Sequence, residues 1–475
     1  MTPTGPAIQR ASDPHIGVTS PWTTRLAPSR NLAAAVTRLQ DALEAAERTG
    51  LTRPHRFETT LEVRTDPLTW LRSQLPDQRS WWADPRDGLV LAGVGRAHAL
   101  EPHSESHGEP PTLETVTGMG DERWRWLFGM AFDGECPRSM EWDAFGPWRA
   151  WLPRCSLERI GTETVLAVHT GVNATPRDLS RARDSLRSLR PIGAGPPGVV
   201  PAHETRCDSP DHQGWTQLVA DATAAIDEGP LEKVVLARKS LCSMGPVDPL
   251  HAIPHPSEQP PQTTCFAFEM APGHVFMGCS PERLFQVDGR SIRTEALAGT
   301  RPVYGQPDTD RALGQELLAS DKDQREHRHV VDGIREALTE LAEWIEVSPS
   351  PSVRVLHQVQ HLCTIVEAHL LSGVEPTTLL RELHPTPAVC GSPRKEARNF
   401  IRNHEPFDRG WYAGPVGWLG PGRAELAVAI RSALFFEGGM HAYAGAGIVD
   451  GSDPDSEWSE LEAKSRGILE GWARP

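Results

Sequence analysis

Apolar residues along the chain repeat with a helical period in some stretches and alternate with polar residues in others. A first helical stripe, which predicts a helix ending near Thr49, is formed by Leu32, Val36, Leu39 and Leu43. A second stripe follows Ser320-Asp321, a pair typical of a helix N-cap, and is formed by Val330, Ile334, Leu338 and Leu341. Strand-like and helical stretches alternate most densely between Trp215 and Trp472, so we expect the functional site there.

Two stretches have the composition of loosely structured chain. Residues 1–30 are rich in Pro, Ser and Thr, which predicts a poorly ordered N-terminal segment. Residues 191–204 (PIGAGPPGVVPAHE) are dense in Pro and Gly, which makes them the best candidate for a linker. We interpret this linker as a surface crossover within one large unit rather than as a boundary between domains.

Composition excludes several classes of function. The 475 residues include 48 Lys and Arg against 63 Asp and Glu, and the resulting net charge of −15 argues against sequence-independent binding of nucleic acid. No stretch approaches the ~20 apolar residues of a membrane span, and the N-terminus lacks the basic and apolar regions of a secretory signal. The eight cysteines show neither a CxxC pair nor zinc spacing, so we expect reduced thiols in a cytoplasmic protein.

Lysine is rare among the basic residues and occurs only at Lys233, Lys239, Lys322, Lys395 and Lys464. Arginine keeps its proton at any workable pH, whereas a desolvated lysine can lose it. In the strand-like run 231–238 (LEKVVLAR), alternation places Lys233 on the same face as Val235 and Ala237. Burial on that face would make Lys233 a candidate general base. The alternative is a strand-end lysine whose ammonium group reaches solvent.

Four glutamates stand where a buried carboxylate would need a partner. Glu282 follows a strand-like run, where a plain surface charge is the alternative, and Glu326 lies one helical turn before the second apolar stripe. Near the C-terminus, Glu457, Glu460 and Lys464 fall at i, i+3 and i+7 on one helical face. The carboxylates of Glu326, Glu457 and Glu460, without a thiol or imidazole cluster, would suit Mg²⁺. The alternative for the C-terminal group is a solvated Glu/Lys helix face.

Ten motifs follow one another through the C-terminal half of the chain. They are LEKVVLAR (231–238), FMGCSPERLF (276–285), TEALAGTRP (294–302), SDKDQREHRHVV (320–331), VQHL (359–362), LHPTPAVCGSPRKEA (383–397), FDRGWYAGPVGW (407–418), AVAIRSA (427–433), AGAGIV (444–449) and SDPDSEWSELEAK (452–464). In this order and spacing they resemble the chorismate-utilising enzymes and, among them, the isochorismate synthases. Each of the five lysines lies in or directly beside one of these motifs.

The resemblance implies a fold and a division of the chain. The fold class is α+β: one large chorismate-binding unit in which two facing, mainly antiparallel sheets are flanked by helices, with the site in the cleft between the sheets. Residues 31–204, which include LAGVGRA and FGPWRAWLPR, resemble the variable N-terminal part of the family. Residues 205–475 would form the catalytic region.

The resemblance also implies a reaction, in which water adds to chorismate at ring carbon 2 while the hydroxyl at carbon 4 leaves. Lys233 matches the general base, Glu282 matches the general acid, and Glu326, Glu457 and Glu460 match the acids that hold Mg²⁺. The positions that match substrate contacts or line the pocket are Gly299, Thr300, His361, Ala388, Tyr412, Arg431, Gly445 (through its backbone) and Lys464. A net charge of −15 would repel a dicarboxylate substrate, so we expect cations to reverse the charge locally.

Two positions separate the activities found among such enzymes. Amine-transferring relatives typically carry Gln at the position of Lys233 and work with a glutaminase, so we expect no glutaminase subunit. Salicylate synthases typically carry Thr where Ala388 lies, so Ala388 favours release of isochorismate. The alternatives are a salicylate synthase, which would also eliminate pyruvate, and a non-catalytic scaffold of the same fold. A downstream enzyme of siderophore, menaquinone or salicylate synthesis would then be the partner that consumes the product.

Overall fold

The computed structural model describes residues 16–102, 120–135, 139–171, 174–193, 205–260, 262–356 and 359–471. The α-helices in these ranges are α1 (Leu32–Arg48), α2 (Pro67–Arg72), α3 (Pro176–Ser188), α4 (His212–Glu228), α5 (Pro307–Ala319), α6 (Asp321–Thr339), α7 (Pro376–Leu383), α8 (Arg394–His404) and α9 (Pro454–Gly471). None of these helices is both long and apolar enough to cross a membrane.

Both helices predicted from apolar stripes are confirmed. Helix α1 begins after Asn31, whose side chain accepts a hydrogen bond from the backbone N–H of Ala34. Helix α6 begins after Ser320, whose side chain accepts from the backbone N–H of Asp323. Because side chains three and four residues apart share a helix face, each stripe is turned toward the protein interior, and Leu39 of α1 is fully buried.

The strands account for most of the remaining ordered chain. They are β1 (Ile16–Thr19), β2 (Thr23–Ser29), β3 (Arg56–Leu61), β4 (Arg79–Asp84), β5 (Leu89–Leu100), β6 (Trp126–Met130), β7 (Trp148–Ile160), β8 (Glu163–His169), β9 (Thr205–Ser209), β10 (Lys233–Ser243), β11 (Thr264–Ala271), β12 (His274–Ser280), β13 (Arg283–Asp288), β14 (Ser291–Pro302), β15 (Ala342–Val347), β16 (Ser352–Val355), β17 (Val359–Leu370), β18 (Gly391–Ser392), β19 (Pro415–Gly420), β20 (Arg423–Val428), β21 (Ser432–Phe436) and β22 (Gly439–Ile448). Of the strand pairs described, β2 with β3 is parallel and the others are antiparallel.

The pairings form two arms that meet at β7. The first arm runs from β7 through β5, β4, β11, β12, β21 and β22 to β10 and β9. The second arm runs from β7 through β6, β19, β20, β13 and β14 to β17, which also pairs with β15 and β16. The expected two-sheet α+β fold is confirmed, and the two sheets are continuous through β7.

The first arm is buried on both faces, as the alternation of its side chains shows. Phe266 and Phe276 face a hydrophobic cluster that includes Leu426 of the second arm. Their strand neighbours, among them Ala267 and Met277, face a separate cluster with helices α1, α2 and α3. Helices α1, α2 and α3 therefore cover one face of the first arm, and its other face packs against the second arm.

The predicted disorder of residues 1–30 is wrong for residues 16–29. That segment and the candidate linker 191–204 also lie partly outside the described residues. Residues 16–29 were expected to be poorly ordered but contain β1 and β2, and β2 pairs with β3 from Thr23 opposite Arg56 onward. Composition reflects only local polarity, whereas β2 obtains hydrogen bonds from β3 some thirty residues away, and β1 in turn pairs with β2. Residues 1–15 and residues 194–204 of the candidate linker lie outside the described ranges.

Candidate active site

A pocket lies where the two arms come together. The first arm contributes Val235, Tyr443, Ala444, Gly445 and Gly447. The second arm contributes Leu297, Ala298, Gly299, Thr300 and His361. Turns, loops and the helices α6 and α9 contribute Pro281, Glu282, Glu326, Ala388, Val389, Tyr412, Ile430, Arg431, Glu460 and Lys464. All the site residues predicted from sequence line this pocket except Lys233 and Glu457, which contact or adjoin residues that do.

Lys233 is the first residue of β10 and is only 1% exposed, so the alternative in which its ammonium group reaches solvent is wrong. Its Nζ donates to Oε1 of Glu326 on α6 at 3.0 Å. The two side chains meet beside Gly447, where an added Cβ would lie 2.8 Å from Oε1 of Glu326 and 3.1 Å from Cε of Lys233. A side chain at this point of β22 would therefore displace the glutamate or the lysine from its present position.

Glu282 occupies the turn between β12 and β13 and is 4% exposed. The turn is held by its backbone, because Glu282 N–H donates to Oγ of Ser280 at 3.1 Å and its carbonyl accepts from Val428 at 3.0 Å. Burial raises the pKa of Glu282 to about 7, against the opposing effects of a Thr386 hydrogen bond and the positive charge of Lys233. The carboxyl group can therefore carry a proton near neutral pH.

The three predicted metal ligands come from two helices, and each is paired with a lysine. Glu326 lies on α6 and pairs with Lys233, as described above. Glu460 and Lys464 pair along α9 at 2.5 Å, and Glu457 of α9 lies 3.5 Å from Nζ of Lys322. The expectation of a fully solvated Glu/Lys helix face is thereby excluded, because Glu457 is buried and its neighbours line the pocket.

The electrostatic balance differs between the two acids of α9. Burial, the negative charge of Glu460 and that of Glu326 raise the pKa of Glu457 to about 7. Burial also opposes ionisation of Glu460, but the charge and hydrogen bond of Lys464 outweigh it and lower the pKa of Glu460. Repulsion between the carboxylates therefore acts most strongly on Glu457, and a cation bound beside it would relieve that repulsion.

A second acidic cluster lies outside the pocket. Among the described residues, Asp84, Asp87 and Glu425 are the acids that bring one ligand oxygen each within 4.8 Å of one another; the three predicted metal ligands are spaced more widely. The guanidinium of Arg283 lies 3.0 Å from Asp87 and 3.3 Å from Glu425. Because this guanidinium already supplies the cation, the cluster is an internal ion-pair network that ties β13 to β20 and to the β4–β5 turn.

Another wall of the pocket carries donors suited to carboxylates. Nζ of Lys464 donates to the carbonyl of Gly445 at 2.8 Å, which leaves further N–H donors on the ammonium group. A Cβ at Gly445 would lie 2.9 Å from the hydroxyl of Tyr412, so this glycine lets the phenol approach the backbone. Burial raises the pKa of Tyr412 to about 12 and keeps it a neutral donor. Arg431, which is partly buried, lines the same wall.

Gly299, Thr300 and His361 form one hydrogen-bonded group where β14 faces β17. Nδ1 of His361 lies 2.9 Å from the carbonyl of Gly299 and 3.3 Å from Oγ1 of Thr300. Burial, followed by the positive charges of Arg431 and Lys464, lowers the pKa of His361 to about 3, so the imidazole is neutral. Gly299 has φ +70, the left-handed region, and an added Cβ would lie 3.1 Å from Cβ of Asp323.

Four residues at or beside the pocket were not predicted from the sequence. Thr386 contacts Glu282, Lys322 contacts Glu457, Gly447 admits the Lys233–Glu326 pair, and Tyr443 stacks on Tyr412 with ring centroids 5.0 Å apart. All four lie within the motifs quoted above or directly beside one. The scarcity of lysine was the one available signal for Lys322, and nothing in the local pattern singled out the others.

Comparison with known proteins agrees with this geometry. Over residues 41–472 the chain matches the family described as chorismate binding enzyme. The salicylate biosynthesis isochorismate synthase of Pseudomonas aeruginosa is 37% identical over 347 residues, which are 72% of this chain and 73% of that protein. The isochorismate synthase MenF of Escherichia coli is 35% identical over 417 residues, which are 85% of this chain and 90% of that protein.

Solved structures show the same fold. The structure of MenF, the menaquinone-specific isochorismate synthase from Escherichia coli, matches with a TM-score of 0.80 at 30% identity and covers 92% of this chain and 100% of that chain. Anthranilate synthase component I from Streptococcus pneumoniae, at 19% identity and a TM-score of 0.63, covers 86% of this chain and 94% of that chain, and shares the fold alone.

Proposed function

The chain belongs to the family of chorismate-binding enzymes, and from this we propose that it is a Mg²⁺-dependent isochorismate synthase. The reaction is an isomerisation in which water adds at ring carbon 2 of chorismate, the hydroxyl at carbon 4 leaves and the ring double bonds shift. The relatives from Pseudomonas aeruginosa and Escherichia coli that carry this name support the proposal. Because both relatives are named as enzymes, they also argue against the alternative of a non-catalytic scaffold.

The proposal is supported above all by one buried amine, Lys233, and one buried carboxyl group with a raised pKa, Glu282, beside the same pocket. Hydroxide is a poor leaving group, so the departing oxygen must receive a proton, and Glu282 retains one near pH 7. Water is a poor nucleophile, so a base must take its proton as the new bond forms. Lys233 is the group we assign to that role. The amine of β10 and the acid of the β12–β13 turn belong to different elements, as addition and departure at different ring carbons require.

We assign recognition of the substrate carboxylates to Arg431, Lys464 and Tyr412. Their guanidinium, ammonium and phenol groups donate charge-assisted or neutral hydrogen bonds, and none of them offers a competing negative charge. Arg431 and Lys464 supply the local positive charge that a protein of net charge −15 needs in order to hold a dicarboxylate. The neutral His361 beside them adds a polar wall without adding charge.

The donor set of Glu326, Glu457 and Glu460 fits Mg²⁺, which prefers carboxylates together with water and substrate oxygens. The raised pKa of Glu457 supports this assignment, because a divalent cation would remove the repulsion that now favours its protonated form. Bound Mg²⁺ would neutralise the ring carboxylate of the substrate. In the structure Lys233, Lys322 and Lys464 each pair with one of these acids, so the positive and negative charges of the cluster nearly cancel.

Product identification tests the proposal. Purified protein, chorismate and Mg²⁺ should give isochorismate by chromatography, EDTA should stop the reaction, and added Mg²⁺ should restore it. Lys233→Ala and Glu282→Gln should each abolish turnover, while Lys239→Ala, on the same strand but paired with Glu141 instead, should leave it largely intact. Activity retained by Lys233→Ala would remove the assignment of the base.

The same assay separates the proposal from its nearest alternative. Ala388 presents only a methyl group to the pocket, where salicylate synthases typically carry Thr. We therefore propose that isochorismate leaves as the final product. Salicylate and pyruvate formed in equal amounts would instead identify a salicylate synthase. The absence of any product from chorismate, with the protein shown to be folded, would reject both activities.

A further inference from the structure

A loop next to the pocket brings a hydroxyl group to the acid of the proposed reaction. Oγ1 of Thr386 donates to Oε1 of Glu282 at 3.3 Å, and both residues are 4% exposed. The loop itself is held by backbone bonds, since the N–H groups of Val389 and Cys390 donate to the carbonyl of Thr386 at 3.1 and 2.9 Å. Arg409 adds a bond to the carbonyl of Val389 at 2.9 Å. The loop therefore does not need the Thr386 hydroxyl for its own shape.

We infer that Thr386 is a positioning residue that engages Oε1 of Glu282 and thereby directs the proton on Oε2 toward the leaving hydroxyl of the substrate. This inference rests on the proposed function. A neutral carboxyl group has one proton and two oxygens. If one oxygen accepts a hydrogen bond from a hydroxyl group, the proton is carried by the other oxygen. Productive proton transfer depends on holding that oxygen within hydrogen-bond reach of the departing group.

The other groups near Glu282 act on it through charge rather than direction. Lys233 of β10, Lys464 of α9 and Glu295 of β14 influence its ionisation, and Arg431 and Tyr412 face it across the pocket. The Thr386 hydrogen bond lowers the pKa of Glu282, whereas burial raises it. Removing the hydroxyl should therefore have two effects: the proton is aimed less well, and the carboxyl group keeps it to higher pH.

The test compares Thr386→Val, which removes the hydroxyl at nearly constant shape, with Thr386→Ser, which keeps it. For Thr386→Val we expect kcat to fall about tenfold or more, because general acid catalysis contributes about 10²–10⁴-fold and misdirection forfeits part of it. We expect KM for chorismate to stay within about twofold, since Thr386 does not line the pocket. The alkaline limb of the kcat/KM profile should move up by about half to one pH unit, the equivalent of one hydrogen bond.

Thr386→Ser should restore most of kcat and leave the alkaline limb in place, which a purely structural role of the side chain would not produce. Equal losses in both variants with an unmoved pH profile, or full activity in Thr386→Val, would overturn the inference while leaving the proposed function intact. A wild-type protein that makes no isochorismate would overturn both. If Thr386→Val does not fold, Thr386→Ala takes its place in the same comparison.

Discussion

Replacing Glu282 by Gln should make the protein inactive and, above pH 7, more stable. The carboxyl group of Glu282 binds its proton more tightly in the folded than in the unfolded chain, because burial raises its pKa from 4.5 to about 7. Folding therefore takes up a proton between these pH values, and this group lowers the free energy of unfolding as pH rises through the window. Glutamine has the same shape and no charge, so it removes this pH-dependent penalty.

The size of the effect follows from the pKa. Each pKa unit corresponds to about 1.4 kcal/mol, so a rise from 4.5 to about 7 places a cost of about 3 kcal/mol on the folded state at pH 8 and almost none at pH 4.5. An unfolding entropy of about 2.1 cal/mol/K per residue over 475 residues amounts to about 1 kcal/mol/K. The expected gain in Tm for Glu282→Gln is therefore about 3 °C at pH 8 and close to zero at pH 4.5.

Differential scanning calorimetry of wild type and Glu282→Gln across pH 4.5–8 measures this difference. The matched control is Glu44→Gln on the exposed face of α1, where the difference in Tm should not vary with pH. A constant or falling difference for Glu282→Gln would show that Glu282 is ionised without penalty in the folded protein. Glu282 could then not be the group that supplies the proton at neutral pH.

Three further variants test the geometry of the site. Gly447→Ala places a methyl group 2.8 Å from Oε1 of Glu326 and should lower kcat about tenfold or more by separating Glu326 from Lys233; wild-type kinetics would contradict this. Arg431→Lys keeps the charge but loses the guanidinium fork, and KM for chorismate should rise about tenfold, whereas an unchanged KM would exclude the contact. Buried Arg238 anchors α9, because it donates to Glu462 at 2.7 Å and lies 4.4 Å from the Trp458 ring. Arg238→Ala should therefore lower the free energy of unfolding in urea by about 2 kcal/mol. The exposed Arg187→Ala should leave it unchanged.

Sequence reasoning about the fold succeeded where the signal was local. The stripes of α1 and α6 and the alternation in β10 depend on residues a few positions apart, and the structure confirms these elements. It failed at residues 16–29, where polar composition hid two strands: β2 pairs with the distant β3, and β1 pairs with β2. The meeting of both arms at β7 also has no local sign, because each pairing joins segments far apart in the chain.

The sequence by itself determined which residue types are available to the chemistry and where they stand along each element. The scarcity of lysine can be read from the composition. The apolar strand face that carries Lys233, and the helix face shared by Glu457, Glu460 and Lys464, can be read from residues a few positions apart. The ordered motifs then identified the family, because their order and spacing do not depend on three-dimensional detail.

Only the tertiary structure decided the state of each group. Glu282 keeps its proton because residues from several strands and loops bury it, and its hydrogen-bond donor Thr386 lies 104 residues further along the chain. Lys233 meets Glu326 beside Gly447, a residue of a third element that leaves room for both side chains. Ionisation and orientation depend on desolvation and on contacts across the chain, and no local pattern encodes either.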